Sequence, residues 1–73
     1  MPKLPVLNPS EIIAVLLKNG FNIDRIRGSH HILLNEVSGK RAVIPMHKKD
    51  LPKGTLHEII KQSGLNIEDF INI

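Results

Sequence analysis

Between Asn8 and Gly20 the apolar residues recur at helical spacing. Ile12, Ile13, Leu16 and Leu17 fall on one face and Val15 widens it. Asn8 suits the N-cap and Pro9 the first helical position, and Glu11 stands where a carboxylate reaches back to the cap. Lys18 lies in the last turn and Gly20 just past it, so the helix ends there. From Phe21 the period shortens to two, and the alternation through Arg27 predicts a strand. Gly28-Ser29 turns the chain into a second predicted strand, His30 to Val37. Val37-Ser38-Gly39-Lys40 turns it again into a short third strand, Arg41 to Met46, ended by Pro45. His47 to Gly54 is a polar loop. Thr55-Leu56-His57-Glu58 offers a second capping box, Leu56, Ile59 and Ile60 form a helical stripe, and Gly64 closes it. Asn66 to Phe70 reads as a short capped helical turn, with Leu65, Ile67 and Phe70 covering one edge of the core.

The order is α-β-β-β-α plus a terminal turn. Three strands joined by short turns form an antiparallel meander, and two helices on one face of it make a two-layer α+β sandwich. The 73 residues make one domain, with residues 1–7 as a loose N-terminal arm. A chain of this size buries only ~60% of its unfolded surface, enough for one small core. There is no cysteine, which excludes disulfides and thiolate metal sites and fits a reducing, cytoplasmic setting. The start Met1-Pro2-Lys3-Leu4-Pro5 lacks a signal-peptide pattern. The longest apolar run, Ile12 to Leu17, is too short to span a membrane.

A net charge of +3 is a mild bias, and its placement matters more than its size. The basic residues gather at Arg25/Arg27, at Lys40/Arg41 and at Lys48/Lys49/Lys53, all outside the helical stripes, where one basic face can form. The loop carrying Lys48, Lys49 and Lys53 runs into a helix N-terminus, a place that favours phosphate; a solvated loop is the plainer account of the same lysines. Phe21 and Phe70, the only aromatics, read as core, so base stacking is not the mode of recognition.

Elimination narrows the chemistry. The acids are scattered, against a paired-carboxylate hydrolase, and no glycine-rich loop opens a helix after a strand. His30 and His31 are adjacent, so on a strand they point to opposite faces and cannot chelate together. What little equipment remains suits transesterification of RNA by its own 2′-OH. That reaction needs one acid/base group near an imidazole's ordinary pKa of ~6.5, cations on the phosphate, and neither metal nor cofactor. Strand parity leaves two arrangements open. If His30 faces solvent, Ile32 and Leu34 do too, while His31, Leu33 and Asn35 meet the helices; the opposite phase buries His30 with Ile32 and Leu34. A bulge, or a partner covering Ile32 and Leu34, would reconcile an exposed His30 with those aliphatics.

Several stretches together resemble a known family. They are Arg27-Gly28-Ser29-His30-His31, Val43-Ile44-Pro45-Met46-His47, Asp50-Leu51-Pro52-Lys53-Gly54-Thr55-Leu56, Ile59-Ile60-Lys61-Gln62-Ser63-Gly64-Leu65 and the helix end Lys18-Asn19-Gly20-Phe21. In this order and spacing they resemble the HicA (YcfA-like) toxins of toxin–antitoxin pairs, over nearly the whole chain. The resemblance implies a fold like a double-stranded RNA-binding domain and an mRNA-cleaving activity that relies on the histidine after Gly-Ser. It also implies neutralisation by a HicB-type antitoxin; an oligomer with the antitoxin is one form this allows, and the sequence leaves the oligomeric state open. The histidine directly after Gly-Ser is His30, with His31 in reserve because some relatives place it one residue later. Arg25, Arg27, Ser29, Arg41, His47, Lys48, Lys49 and Lys53 are the expected contacts to single-stranded or structured mRNA. A non-catalytic RNA-binding domain using the same basic face is the alternative.

Overall fold

Asn8 starts the first helix by the reciprocal bonding its sequence context predicts. Its Oδ1 accepts the Glu11 N–H at 2.9 Å, and Glu11 Oε1 accepts the Asn8 N–H at 3.0 Å. The computed structural model, which describes residues 6–46 and 49–71, places helix α1 at Pro9–Lys18. Ile12, Val15 and Leu16 form its buried stripe. Leu17, expected on that face, is 46% exposed, because a step of about 100° per residue carries it off a stripe centred between Ile12 and Leu16. The predicted loose arm also ends sooner than expected. Leu7 is buried, and its carbonyl accepts the Leu51 N–H at 3.0 Å; residues 1–5 lie outside the described part.

Strands β1 (Asn22–Arg27), β2 (His30–Leu34) and β3 (Arg41–Pro45) form an antiparallel sheet in the order β1-β2-β3. Gly28, at φ +59, is followed by a residue of negative φ, the pattern of a two-residue type II′ hairpin turn, and it sets Arg27 opposite His30. The second strand stops at Leu34 rather than Val37. Asn35 Oδ1 accepts the N–H groups of Val37 and Ser38, at 3.0 and 3.2 Å, and pulls the chain out of the ladder into a loop.

Leu33, Ala42 and Ile44 point from the sheet into the core and are fully buried. A bulge between Ile23 and Arg25 shifts the β1 register, so that Ile23 pairs with Leu33 and Ile26 with His31, both on the core side. Without the extra residue, Ile23 and Ile26 would lie on opposite faces, three positions apart in a period-two strand. The helices nevertheless leave β1 uncovered, and all six of its residues are exposed.

Helix α2 runs from Lys53 to Ser63, three residues earlier than the second capping box, with Thr55 as its N-cap, predicts. Pro52 holds the N-cap position, the Leu56 N–H donates to the Pro52 carbonyl, and Thr55 sits inside the first turn. The helix buries Leu56, Ile59 and Ile60 and ends on Gly64 in the left-handed conformation. It lies along the sheet margin, where Gln62 Oε1 accepts the Val43 N–H at 3.3 Å from the outer edge of β3. Helix α3, Ile67–Ile71, is the expected terminal turn: the Asn66 N–H donates to Asp69 Oδ2 at 2.9 Å, and Phe70 is buried. The α+β architecture with α-β-β-β-α order is as the pattern predicts.

Candidate functional site

Opposed residues of an antiparallel pair project to the same side of the sheet, so the register reads out each face. Since Leu33, Ala42 and Ile44 face the helices, the outer face carries three rows across the strands. They are Arg27–His30–Pro45, Arg25–Ile32–Val43 and Asn22–Leu34–Arg41. The strand-phase question is thereby answered: His30 is exposed on the outer face, and His31 is half-buried on the helix side, flanked in the sheet by Ile26 and Ile44.

Three of the expected cationic residues therefore share a face with His30. Arg27 is its direct cross-strand neighbour. The Arg25 row lies about 7 Å further along the strands and the Arg41 row about 13 Å, at ~3.3 Å per residue. Arg25 Nε meets Asp24 Oδ2 at 3.6 Å, an exposed pair of little energetic weight. Among the described residues, neither Arg27 nor Arg41 pairs with a carboxylate.

The turn is tied to the residue that follows β3 by one short bond: the Ser29 carbonyl accepts the Met46 N–H at 2.6 Å. Ser29 thus helps fix the end of the sheet through its backbone. Beyond Met46, Lys49 lines a cleft with Asn8, Pro9, Ser10, Met46 and Asp50 beside the α1 N-terminus. Lys53 is the first residue of α2 and exposed. His47 and Lys48, also expected in the site, lie outside the described residues. The two helix starts differ. The α1 N-terminus is closed by its capping box, whereas α2 has no side-chain cap and no acid in its first turn.

His31 differs from its neighbour. Its Nδ1 is buried and has no hydrogen-bond partner. Among the described residues, no three His, Asp or Glu side chains come together as a metal-binding group, and no helix is long and apolar enough to cross a membrane.

The family model for the HicA toxin of bacterial toxin–antitoxin systems matches residues 9–65, which runs from the first residue of α1 through α2 to Leu65. The chain belongs to the HicA toxin family. It is the toxin of a toxin–antitoxin system, and its family implies an antitoxin partner. No curated protein matches this HicA chain.

Strand parity already tied Ile32 and Leu34 to whichever face carries His30, whereas the sequence reading did not name Val43 as part of it. Ile32 and Leu34 are half-buried and Val43 is 37% exposed, so an aliphatic ridge runs among the cations. The signal lay in strand parity: once Leu33 is the core residue, its neighbours on either side must face outward.

Proposed function

We propose that this HicA toxin is a metal-independent endoribonuclease that cleaves mRNA in the cytoplasm, with His30 as the general acid/base. The observation that carries the reading is the exposed imidazole of His30 beside Arg27, at one end of a face that also bears Arg25 and Arg41. The chain leaves β3 toward the basic loop at the His30 end, where Pro45 pairs with His30 and Met46 bonds the Ser29 carbonyl. At the uncapped start of α2, first-turn N–H groups and Lys53 offer a second place for a backbone phosphate.

In the proposed reaction the His30 imidazole takes the proton of a ribose 2′-OH. The 2′-oxygen attacks the adjacent phosphorus, and the bond to the 5′-oxygen breaks. The products are a 2′,3′-cyclic phosphate and a 5′-OH, whose proton comes from the imidazolium or from solvent. Arg27, the nearest cation by register, stabilises the charge that builds on the phosphate oxygens, and Arg25 and Arg41 hold the flanking backbone. The RNA supplies the nucleophile, so the chemistry asks for no metal and no cofactor.

Purified protein incubated with RNA in excess chelator tests the reading. The wild type should release fragments ending in cyclic phosphate. His30→Ala should cleave ~10²–10⁴-fold more slowly while keeping its fold. Equal cleavage by the variant would remove His30 from the mechanism, and salt-sensitive binding without products would favour the RNA-binding alternative.

A further inference from the structure

We propose that the cleft beside the start of α1 is a base-recognition site for the RNA, selective for a guanine next to the scissile phosphate. The proposal rests on the reading of the protein as a ribonuclease and adds the specificity which that reading lacks. Asn8, Ser10, Met46, Lys49 and Asp50 line the cleft, whose volume of about 460 Å³ falls within the ~300–1,000 Å³ of small-ligand sites. Three contacts fix its walls. The Leu51 N–H donates to the Leu7 carbonyl and sets Asp50 beside the α1 start, the Asn8–Glu11 capping box holds that start, and the Met46 N–H donates to the Ser29 carbonyl.

Position ties the cleft to His30. Pro45 is the cross-strand partner of His30, and Met46 is the next residue. With strands ~4.8 Å apart and ~3.3 Å per residue, the Met46 backbone lies ~6 Å from that of His30. Met46 packs against the core from the helix side, whereas His30 is exposed on the outer face. Strand β2 begins at His30 and β3 stops at Pro45. An RNA strand that leaves His30 over this end of the sheet therefore brings its next base to the cleft.

Charge says what the cleft takes. One cation, Lys49, and one anion, Asp50, stand in its wall, a balance that does not favour a phosphate. The α1 start adds little for an anion, because Asn8 Oδ1 already accepts the Glu11 N–H and the Glu11 carboxylate stands beside it. Among the described residues the one ion pair is Arg25–Asp24, so Lys49 and Asp50 do not pair with each other and both can meet a ligand. That ligand is neutral, with donors for a carboxylate and an acceptor for an ammonium. Of the four bases, only guanine carries two adjacent donors on its Watson–Crick edge. Its N1–H and N2 amino group match the two Asp50 oxygens, and its O6 accepts from Lys49. Adenine and cytosine set an acceptor beside their amino group, and uracil has a single N–H between two acceptors, so each leaves one Asp50 oxygen unmatched.

Cleavage of short RNAs in excess chelator tests the site, with guanosine or inosine on either side of the mapped cut; inosine lacks only the N2 amino group. The wild type should cleave the guanosine RNA at least about tenfold better in kcat/KM, as expected of one bidentate base contact. Asp50→Asn, a near-isosteric change at an exposed position, should bring that ratio within about threefold. Glu58→Gln, on the exposed surface of α2, should keep it, with unchanged circular dichroism in both variants. Affinity for the same sequences as 2′-O-methyl RNA, which has no nucleophile, gives a readout independent of His30. A guanine preference in binding without any cleavage supports the site and rejects only the catalytic reading. Cleavage with a guanosine-to-inosine ratio near one, or a ratio that Asp50→Asn leaves unchanged, overturns the site and leaves the ribonuclease standing. A wild type that neither binds nor cleaves RNA overturns both.

Discussion

Replacing His31 by leucine should stabilise this protein and leave RNA cleavage in place. His31 lies on the helix side of β2 between Ile26 and Ile44, half-buried, with Nδ1 sealed from solvent and without a partner. An unsatisfied buried polar atom costs roughly 1–3 kcal/mol, and the lower end applies to a ring that keeps part of its surface in water. Leucine removes that cost and presents only carbon to two isoleucines. The net gain is about 1 kcal/mol, or a rise of about 4–8 °C in Tm for a domain of this size. Thermal and urea unfolding of His31→Leu beside the wild type provide the measurement, with cleavage assayed on the same samples. A midpoint that falls or does not move refutes the accounting at Nδ1. A stabilised variant that no longer cleaves would transfer the acid/base role from His30 to His31, and would show a histidine kept at a cost in stability because the chemistry needs it.

Three further substitutions test the frame that holds the face. Asn8→Ala removes the Oδ1 that accepts the Glu11 N–H, leaves the backbone N–H bonded to Glu11 Oε1, and should cost about 1 kcal/mol in urea unfolding, with a loss of helical signal. Gly28→Ala places a Cβ where nothing lies within 4 Å, so the strain of φ +59 alone should cost about 1–2 kcal/mol. A much larger loss there would mean that the turn governs the whole strand register. Leu33→Ala empties a fully buried position and should cost about 2–5 kcal/mol, a large share of the ~4–11 kcal/mol expected of a chain this long, read as an earlier denaturation midpoint.

Element order, the antiparallel meander and most turn positions were legible because each rests on interactions between near neighbours. Asn8, Pro9 and Glu11 specify a helix start within four residues, and Gly28 and Gly64 occupy the positive-φ positions that hairpins and helix ends require. The errors came where one local preference competed with another. Asn35 ends β2 early by taking two N–H groups for its own side chain, and Pro52 starts α2 before Thr55 can cap it. The basic residues were legible by type, but types do not say which of them share a face.

By itself the sequence determined the fold class, the family and the residues available for chemistry, since periodicity, caps and motif order are properties of the chain. Only the tertiary structure decided where they point. Leu33 rather than Ile32 or Leu34 meets Ala42 and Ile44 under the helices, and with a period of two that single choice sends His30 outward and His31 inward. The same choice sets Arg25, Arg27 and Arg41 on the face of His30 and puts the aliphatic ridge among them. The phase of a strand with apolar residues on both faces depends on what the rest of the fold covers, which no local pattern contains.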